Sequence, residues 1–187
     1  MANDVATLTQ NVAKEMGEGW AYIVPESGSE SNWHASMSGP NGQEVYFNVA
    51  RAGKDRVYVS GTFPQGQSLP YGETRPSITM DGNKPAAKMA ADIKRRLLPE
   101  YQRILFVVLQ RKSQAETFEA NRKDVQAQVA MIVDGRLKGE MVYTGGWDIQ
   151  VSGPDSIRLN GHCNYLTLEQ LRKINQVCPE LFRRKEE

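Results

Sequence analysis

The sequence predicts a single α+β domain, in which an antiparallel β-meander of about four strands and a second β-hairpin pack with an N-terminal, a long central and a C-terminal helix. Apolar and polar residues alternate between 20 and 63, whereas an apolar rhythm of about 3.5 residues runs from 101 to 132. A third observation is a repeat: residues 33–41 and 147–155 share Trp, Ser, Gly and Pro at identical spacing. We therefore predict that one hairpin is used twice.

Residues 1–83 are expected to hold the first helix, the meander and a proline-rich loop. Val5, Leu8, Val12 and Met16 fall at helical spacing, and Gly17 follows as a stop. Segments 20–24, 33–38, 45–49 and 57–63 alternate with a period of two and read as strands, while 77–80 suggests one more. Pro40 and Pro154 suit the second position of a type I turn in each hairpin.

Residues 84–135 are predicted to be helical, with a break in the middle. Pro85 suits the first position of a helix, and Leu98 precedes a second proline, which disfavours continued helix. The next helix would start at Pro99 and extend to Gly135, about 54 Å at 1.5 Å per residue. Because a compact domain of this size is only about 40 Å across, we expect this helix to overhang or to form a homodimer contact.

Residues 136–187 are expected to hold the second hairpin and a last helix. Thr167 and Gln170 have the spacing of a capping box, and Leu166 with Leu171 that of a hydrophobic staple. Leu168, Leu171, Ile174, Cys178 and Leu181 would face inward.

The composition argues against a membrane-spanning protein and against a disulfide scaffold. The chain is 40% hydrophobic and 24% charged, it has two cysteines, and its longest apolar run, 104–109, is far too short to cross a membrane. No basic segment followed by an apolar stretch opens the chain, so no secretory signal is apparent. Two cysteines do not make a disulfide scaffold. These features predict a cytoplasmic protein that does not enter a membrane.

Motifs that carry catalytic chemistry are missing from the sequence. It has neither phosphate-binding glycine loop, nor an H-E-x-x-H, C-x-x-C or G-x-S-x-G motif. His34, His162, Cys163 and Cys178 have spacings that fit no zinc ribbon or finger. We therefore predict no enzyme, no metal and no cofactor. A remote alternative is a phosphoesterase using His34, since His34-Ala-Ser36 matches the H-x-[ST] element of two-histidine phosphoesterases; the second histidine, His162-Cys-Asn164, lacks the hydroxyl.

Charge is distributed unevenly, although the formal net charge is only +1. Residues 1–50 carry an excess of five negative charges, and residues 84–124 an excess of five positive charges. A concentrated basic region is typical of proteins that bind an anionic partner. The residues expected to bind that partner are Lys88, Lys94, Arg95, Arg96 and Arg103.

The polar face of the meander is a second candidate surface. Aromatic and arginine side chains on an open sheet stack unpaired bases, but tyrosine is also simply a good strand residue, and an ordinary solvated face is the alternative. The residues expected on this face are His34, Tyr46, Asn48, Arg56 and Tyr58.

Together these features predict a non-catalytic binding protein that engages nucleic acid or a nucleoprotein complex through its basic helical cluster. The alternative is a protein-interaction module, an inhibitor or adaptor of the kind that viruses and mobile elements encode. Its contact surfaces would be the long helix and the proline-rich loop around Tyr71.

Overall fold

The computed structural model describes residues 4–25, 33–49, 55–144, 147–154, 156–159 and 165–177. It confirms the α+β class. The chain divides into two compact units, residues 1–111 and 112–187, and the boundary falls within one long helix. Each unit contains a five-stranded antiparallel sheet with strands in sequence order. The two predicted hairpins therefore belong to different sheets.

The first unit begins with helix α1, Val5–Met16, which ends before Gly17 as predicted, and Asp4 caps it by accepting a hydrogen bond from the Ala6 amide. Its five strands are β1 Ala21–Ile23, β2 His34–Ser38, β3 Glu44–Asn48, β4 Arg56–Gly61 and β5 Ser77–Asp81. All neighbouring strands are antiparallel. The sequence predicts about four strands and suggests one more at 77–80, and this fifth strand is present and pairs with β4.

One face of this sheet forms the core of the first unit. Val45 and Phe47 of β3 are fully buried together with Val12 of α1 and with Tyr101 and Ile104 from the helical segment that follows the sheet. Because the helices pack against this apolar face, the alternating polar residues of the strands lie on the opposite face. That arrangement separates the two candidate surfaces, since one is on a helix and the other on the outer face of the sheet.

The turn between β2 and β3 differs from the predicted type I turn with Pro40 at its second position. Asn41 has φ 57° and Gly42 has φ 74°, and the Gln43 amide donates to the Pro40 carbonyl over 3.2 Å. Two central residues with positive φ are the pattern of a type I′ turn, which matches the twist of the flanking strands. The turn therefore centres on Asn41–Gly42, and Pro40 precedes it.

The predicted helix break at Leu98–Pro99 is wrong. Helix α2, Ala86–Asp92, continues through a π-helical turn, Ile93–Leu97, into helix α3, Leu98–Ile132. The Leu98 amide donates to the Ile93 carbonyl, five residues back. Proline has no N–H and its ring clashes with the carbonyl four residues before it in an α-helix. The π turn directly before Pro99 shifts that carbonyl and lets the helix continue.

In the described part of the second unit the chain forms five strands, three more than the two strands of the predicted hairpin. They are β6 Arg136–Lys138, β7 Met141–Thr144, β8 Trp147–Gly153, β9 Ser156–Leu159 and β10 Tyr165–Leu166, followed by helix α4, Leu168–Val177. The predicted hairpin is β8–β9. The core combines Val129 of α3 with Val142, Ile149, Ile157 and Leu171, all fully buried. Cys178 and Leu181, expected to face inward, lie outside the described residues.

The apolar rhythm of α3 does not form one continuous buried stripe. Ala115 is exposed, and the Phe118 side chain is about half exposed, near Gly153. The buried residues of the helix fall instead into two groups, one ending at Val108 in the first unit and one beginning at Val125 in the second. The regular spacing therefore reflects two separate cores along one helix.

Candidate anion-binding site

A shallow depression of about 310 Å³ lies at the start of the long helical segment and is mostly basic. Lys84 reaches it from the turn after β5, and the remaining residues come from α2 and the π turn. Lys88, Asp92 and Arg95 are four and three residues apart, so a helical backbone places them on one face. We call this site the basic depression; its lining residues are Lys84, Lys88, Ala91, Asp92 and Arg95.

Asp92 organises the basic depression. Its carboxylate accepts hydrogen bonds from Lys84 Nζ at 2.6 Å and from Arg95 Nη2 at 2.8 Å, and only 11% of its side chain is exposed. The hydrogen bond from Lys84 is the main reason that the pKa of Asp92 lies below its usual value. The carboxylate therefore stays ionised at neutral pH and holds two cationic side chains in fixed positions.

The depression keeps an excess of positive charge despite this pairing. Lys84, Lys88 and Arg95 supply three cations, and Asp92 is the one carboxylate in the lining. Lys88 is exposed and forms no ion pair within the described ranges. The Arg95 side chain is 76% exposed, and a guanidinium has five N–H donors. Donors of both residues remain available to an anion in solvent.

Two of the predicted residues lie next to this site but do not line it. Lys94 donates to the Glu15 carbonyl of α1 over 3.4 Å, a weak contact that leaves the ammonium exposed. Arg96 is exposed, and within the described residues its side chain forms neither a hydrogen bond nor an ion pair. They extend the positive charge beyond the depression. We call Lys84, Lys88, Lys94, Arg95 and Arg96 together the basic surface.

Arg103, which the sequence groups with the other basic residues, has a different environment. Its guanidinium contacts Glu100 and Glu73 through Nη2, in both cases at 2.7 Å. The hydrogen bond to Glu100 is the largest of the effects that raise the pKa of Arg103. Because the two carboxylates neutralise the positive charge of Arg103, the structure does not bring Arg103 into the basic surface.

Lys84 is the residue that the predicted site lacks. It belongs to the basic run of the sequence, but the helical spacing that links Lys88 to Arg95 does not include a residue before Pro85. Its position depends on the turn at 82–84, where the Asn83 amide donates to Asp81 Oδ1 over 2.9 Å. The one feature of the sequence that could have indicated this position is Asp92, an acidic residue eight positions after Lys84 with which Lys84 forms an ion pair.

The second predicted surface, the outer face of the first sheet, does bring its aromatic residues together. The His34 and Tyr46 ring centroids are 5.8 Å apart. Asn48 donates to the Tyr46 hydroxyl over 3.0 Å, and the pairing register places Asn48 between His34 and Tyr58. Arg56 lies at the far end of this face, opposite Asp81.

The charge on that face does not favour a polyanion. Arg56 is the basic residue among the outward positions of the five strands, where Glu44 and Asp81 are acidic. Tyr46 and Tyr58 are half-buried within the sheet surface. Base stacking needs exposed rings beside a positive groove, so the basic surface on the helix is the stronger site for an anion.

No metal-binding group of three or more His, Cys, Asp or Glu residues occurs in the described part of the chain. His162, Cys163 and Cys178 lie outside that part. Among the described helices, none is both long and apolar enough to cross a membrane.

Comparison with known proteins gives no relative: no protein-family model, no curated protein and no solved structure matches this chain.

Proposed function

We propose that this protein is a non-catalytic binding protein that engages nucleic acid or a nucleoprotein complex through its basic surface. The observation that carries the proposal is the excess of cations in the basic depression, where Lys88 is exposed, with Arg96 also exposed beside it. Basic side chains distributed along a helix follow the repeated charges of a phosphate backbone. Four other cations of α3 support this site less, because Arg103, Lys112, Arg122 and Lys123 are each paired with glutamate.

The test is fluorescence-anisotropy binding to short single- and double-stranded DNA and RNA at about 50 and 200 mM salt, a range over which phosphate contacts lose most of their affinity. The test variant is the triple change K88E/K94E/R96E. The matched control is K112E/K123E/K173E, since those lysines are paired with Glu116, Glu119 and Glu169. Both triple variants lower the net charge by the same amount.

We expect the first triple variant to abolish salt-sensitive binding and the control to retain most of it. Equal loss in both variants would mean that net charge alone attracts the nucleic acid, and would contradict a site on the basic surface. Absence of binding at the lower salt would reject naked nucleic acid as the partner.

A second candidate function, a protein-interaction module such as an inhibitor or adaptor of viral or mobile-element type, is favoured by one specific observation. Phe106 on α3 is 68% exposed and lies beside a groove of about 370 Å³ that is lined by Asn41, Gln43, Gln102, Leu105, Phe106 and Leu109. Tyr71 in the proline-rich loop is fully exposed.

An apolar protein contact would respond little to salt. A homodimer through α3 would appear in sedimentation velocity and would dissociate in Phe106→Glu.

We also propose that the protein works in the reducing cytoplasm and catalyses no reaction, which rests on its two cysteines and on the missing catalytic motifs. The remote alternative, a phosphoesterase, predicts that purified protein hydrolyses a phosphodiester and that His34→Ala removes the activity without unfolding the chain.

A further inference from the structure

We propose that the basic depression binds the terminal phosphate of a nucleic-acid strand, while Lys94 and Arg96 contact the backbone that continues from it. This inference rests on the proposed function and specifies it. Lys84, Lys88 and Arg95 bind the phosphate monoester. Asp92 does not touch the phosphate and acts as a positioning residue.

The charge of the depression fits a doubly charged anion. Three cations against one carboxylate leave an excess of two positive charges. A phosphate monoester carries about −1.5 to −2 at neutral pH, whereas a diester within the backbone carries a single charge. A terminal phosphate therefore neutralises the site more fully than an internal one does.

The hydrogen bonds within the depression also favour phosphate binding. Lys84 and Arg95 donate to different carboxylate oxygens of Asp92, and all three residues line the depression. Because Asp92 already restricts both side chains, less conformational entropy is lost when the phosphate binds.

The available donors match the oxygens of a terminal phosphate. Arg95 uses Nη2 for Asp92, and its side chain as a whole is 76% exposed. Guanidinium groups bind phosphate oxygens through parallel N–H donors, and an ammonium adds a compact point charge. Lys88, four residues before Asp92 on the same helical face, supplies that ammonium from the rim.

The experiment compares one oligonucleotide with a 5′-phosphate, with a 3′-phosphate and with hydroxyl groups at both ends, in competition anisotropy at constant salt. We expect wild-type protein to prefer one of the phosphorylated strands by about tenfold, the factor that one charge-assisted hydrogen bond provides. Lys88→Gln and Arg95→Lys should reduce that preference to nearly one. Lys94→Gln removes the same charge as Lys88→Gln, but from a residue outside the depression. It should weaken the binding of all three strands alike and keep the preference for the phosphorylated strand.

Equal affinity of wild-type protein for all three strands would overturn the inference and leave the charge-based proposed function intact. Equal loss of preference in Lys88→Gln and Lys94→Gln would also overturn it, since the effect would then be diffuse electrostatics. If no strand binds, titration with inorganic phosphate and with a phosphoserine peptide is followed by amide NMR. Shifts confined to residues 84–96 and lost in Lys88→Gln would reject the nucleic-acid source and assign the phosphate monoester to a protein.

Discussion

The ring of Tyr101 lies directly against the backbone of Gly61, in the space that a β-carbon at that position would occupy. Gly61 ends β4 at the register position of Val45. The Tyr101 hydroxyl donates to the Thr62 carbonyl at 2.6 Å and accepts from the Glu44 amide at 2.9 Å. Tyr101 therefore joins the helix to two neighbouring strands, and glycine is required at 61 for close approach.

Gly61→Ala should destabilise the first unit by about 1–3 kcal/mol, the usual effect of inserting a methyl group into a packed core. The reason is steric, because the new β-carbon would overlap the Tyr101 ring. Urea unfolding of Gly61→Ala, Tyr101→Leu and the double variant measures the coupling between the two positions. Strictly additive effects of the two changes would contradict this contact.

Ionisation of Tyr101 should lower stability at high pH. Burial raises the pKa of Tyr101 from 10.0 to about 12, so the folded state holds the phenolic proton more tightly than the unfolded state does. The stabilisation is therefore complete below about pH 10 and is lost as pH rises toward 12. Urea unfolding at about pH 9 and about pH 11.5 should show a steeper decline for wild type than for Tyr101→Phe. Parallel declines would contradict the expectation.

Regular periodicity predicted the elements of the first unit well, because a sheet with one buried face imposes strict alternation on its residues. Val45 and Phe47 alternate with Tyr46 and Asn48, and the structure places the two sets on opposite faces. The short strands β6 and β7 gave no such signal: Arg136 and Lys138 are exposed, and Leu137 between them is also about half exposed.

The differences at prolines have a local cause. Pro99 was interpreted as a helix break because proline within an α-helix lowers its stability. The π turn that accommodates Pro99 depends on the packing of Leu97 and Leu98, which are both buried. The predicted anion-binding residues Lys88, Lys94, Arg95, Arg96 and Arg103 were chosen from charge and helical spacing. Which cations stay available depended on carboxylates distant in sequence, as Glu73 shows by binding Arg103 from a loop 30 residues away.

The ion pairs of Asp92 should make the first unit sensitive to acid. Because the folded-state pKa of Asp92 is lowered, chiefly by the Lys84 hydrogen bond, its stabilisation is present above the unfolded pKa of about 3.8 and is lost as pH falls below that value. Asp92→Asn should therefore flatten the decline in urea midpoint between about pH 5 and about pH 3. Parallel declines in wild type and in Asp92→Asn would contradict this expectation.

The capping box at Thr167 offers a test of whether the two units unfold together. The Thr167 amide donates to Gln170 Oε1 at 2.8 Å, and the Gln170 amide donates to Thr167 Oγ1 at 3.2 Å, as the sequence predicts. Thr167→Ala should cost about 1 kcal/mol. Its effect should be confined to the second unit, because Leu171 and Ile149 belong to a core separate from that of Phe47.

Amide hydrogen exchange measures that effect residue by residue. We expect Thr167→Ala to accelerate exchange in β8 and β9 and to leave the most protected amides of β3 and β4 unchanged. Gly61→Ala should produce the reverse pattern, since its steric overlap lies within the first core. Equal acceleration in both sheets by either variant would show one cooperative transition, which is the behaviour of the single domain that the sequence predicts.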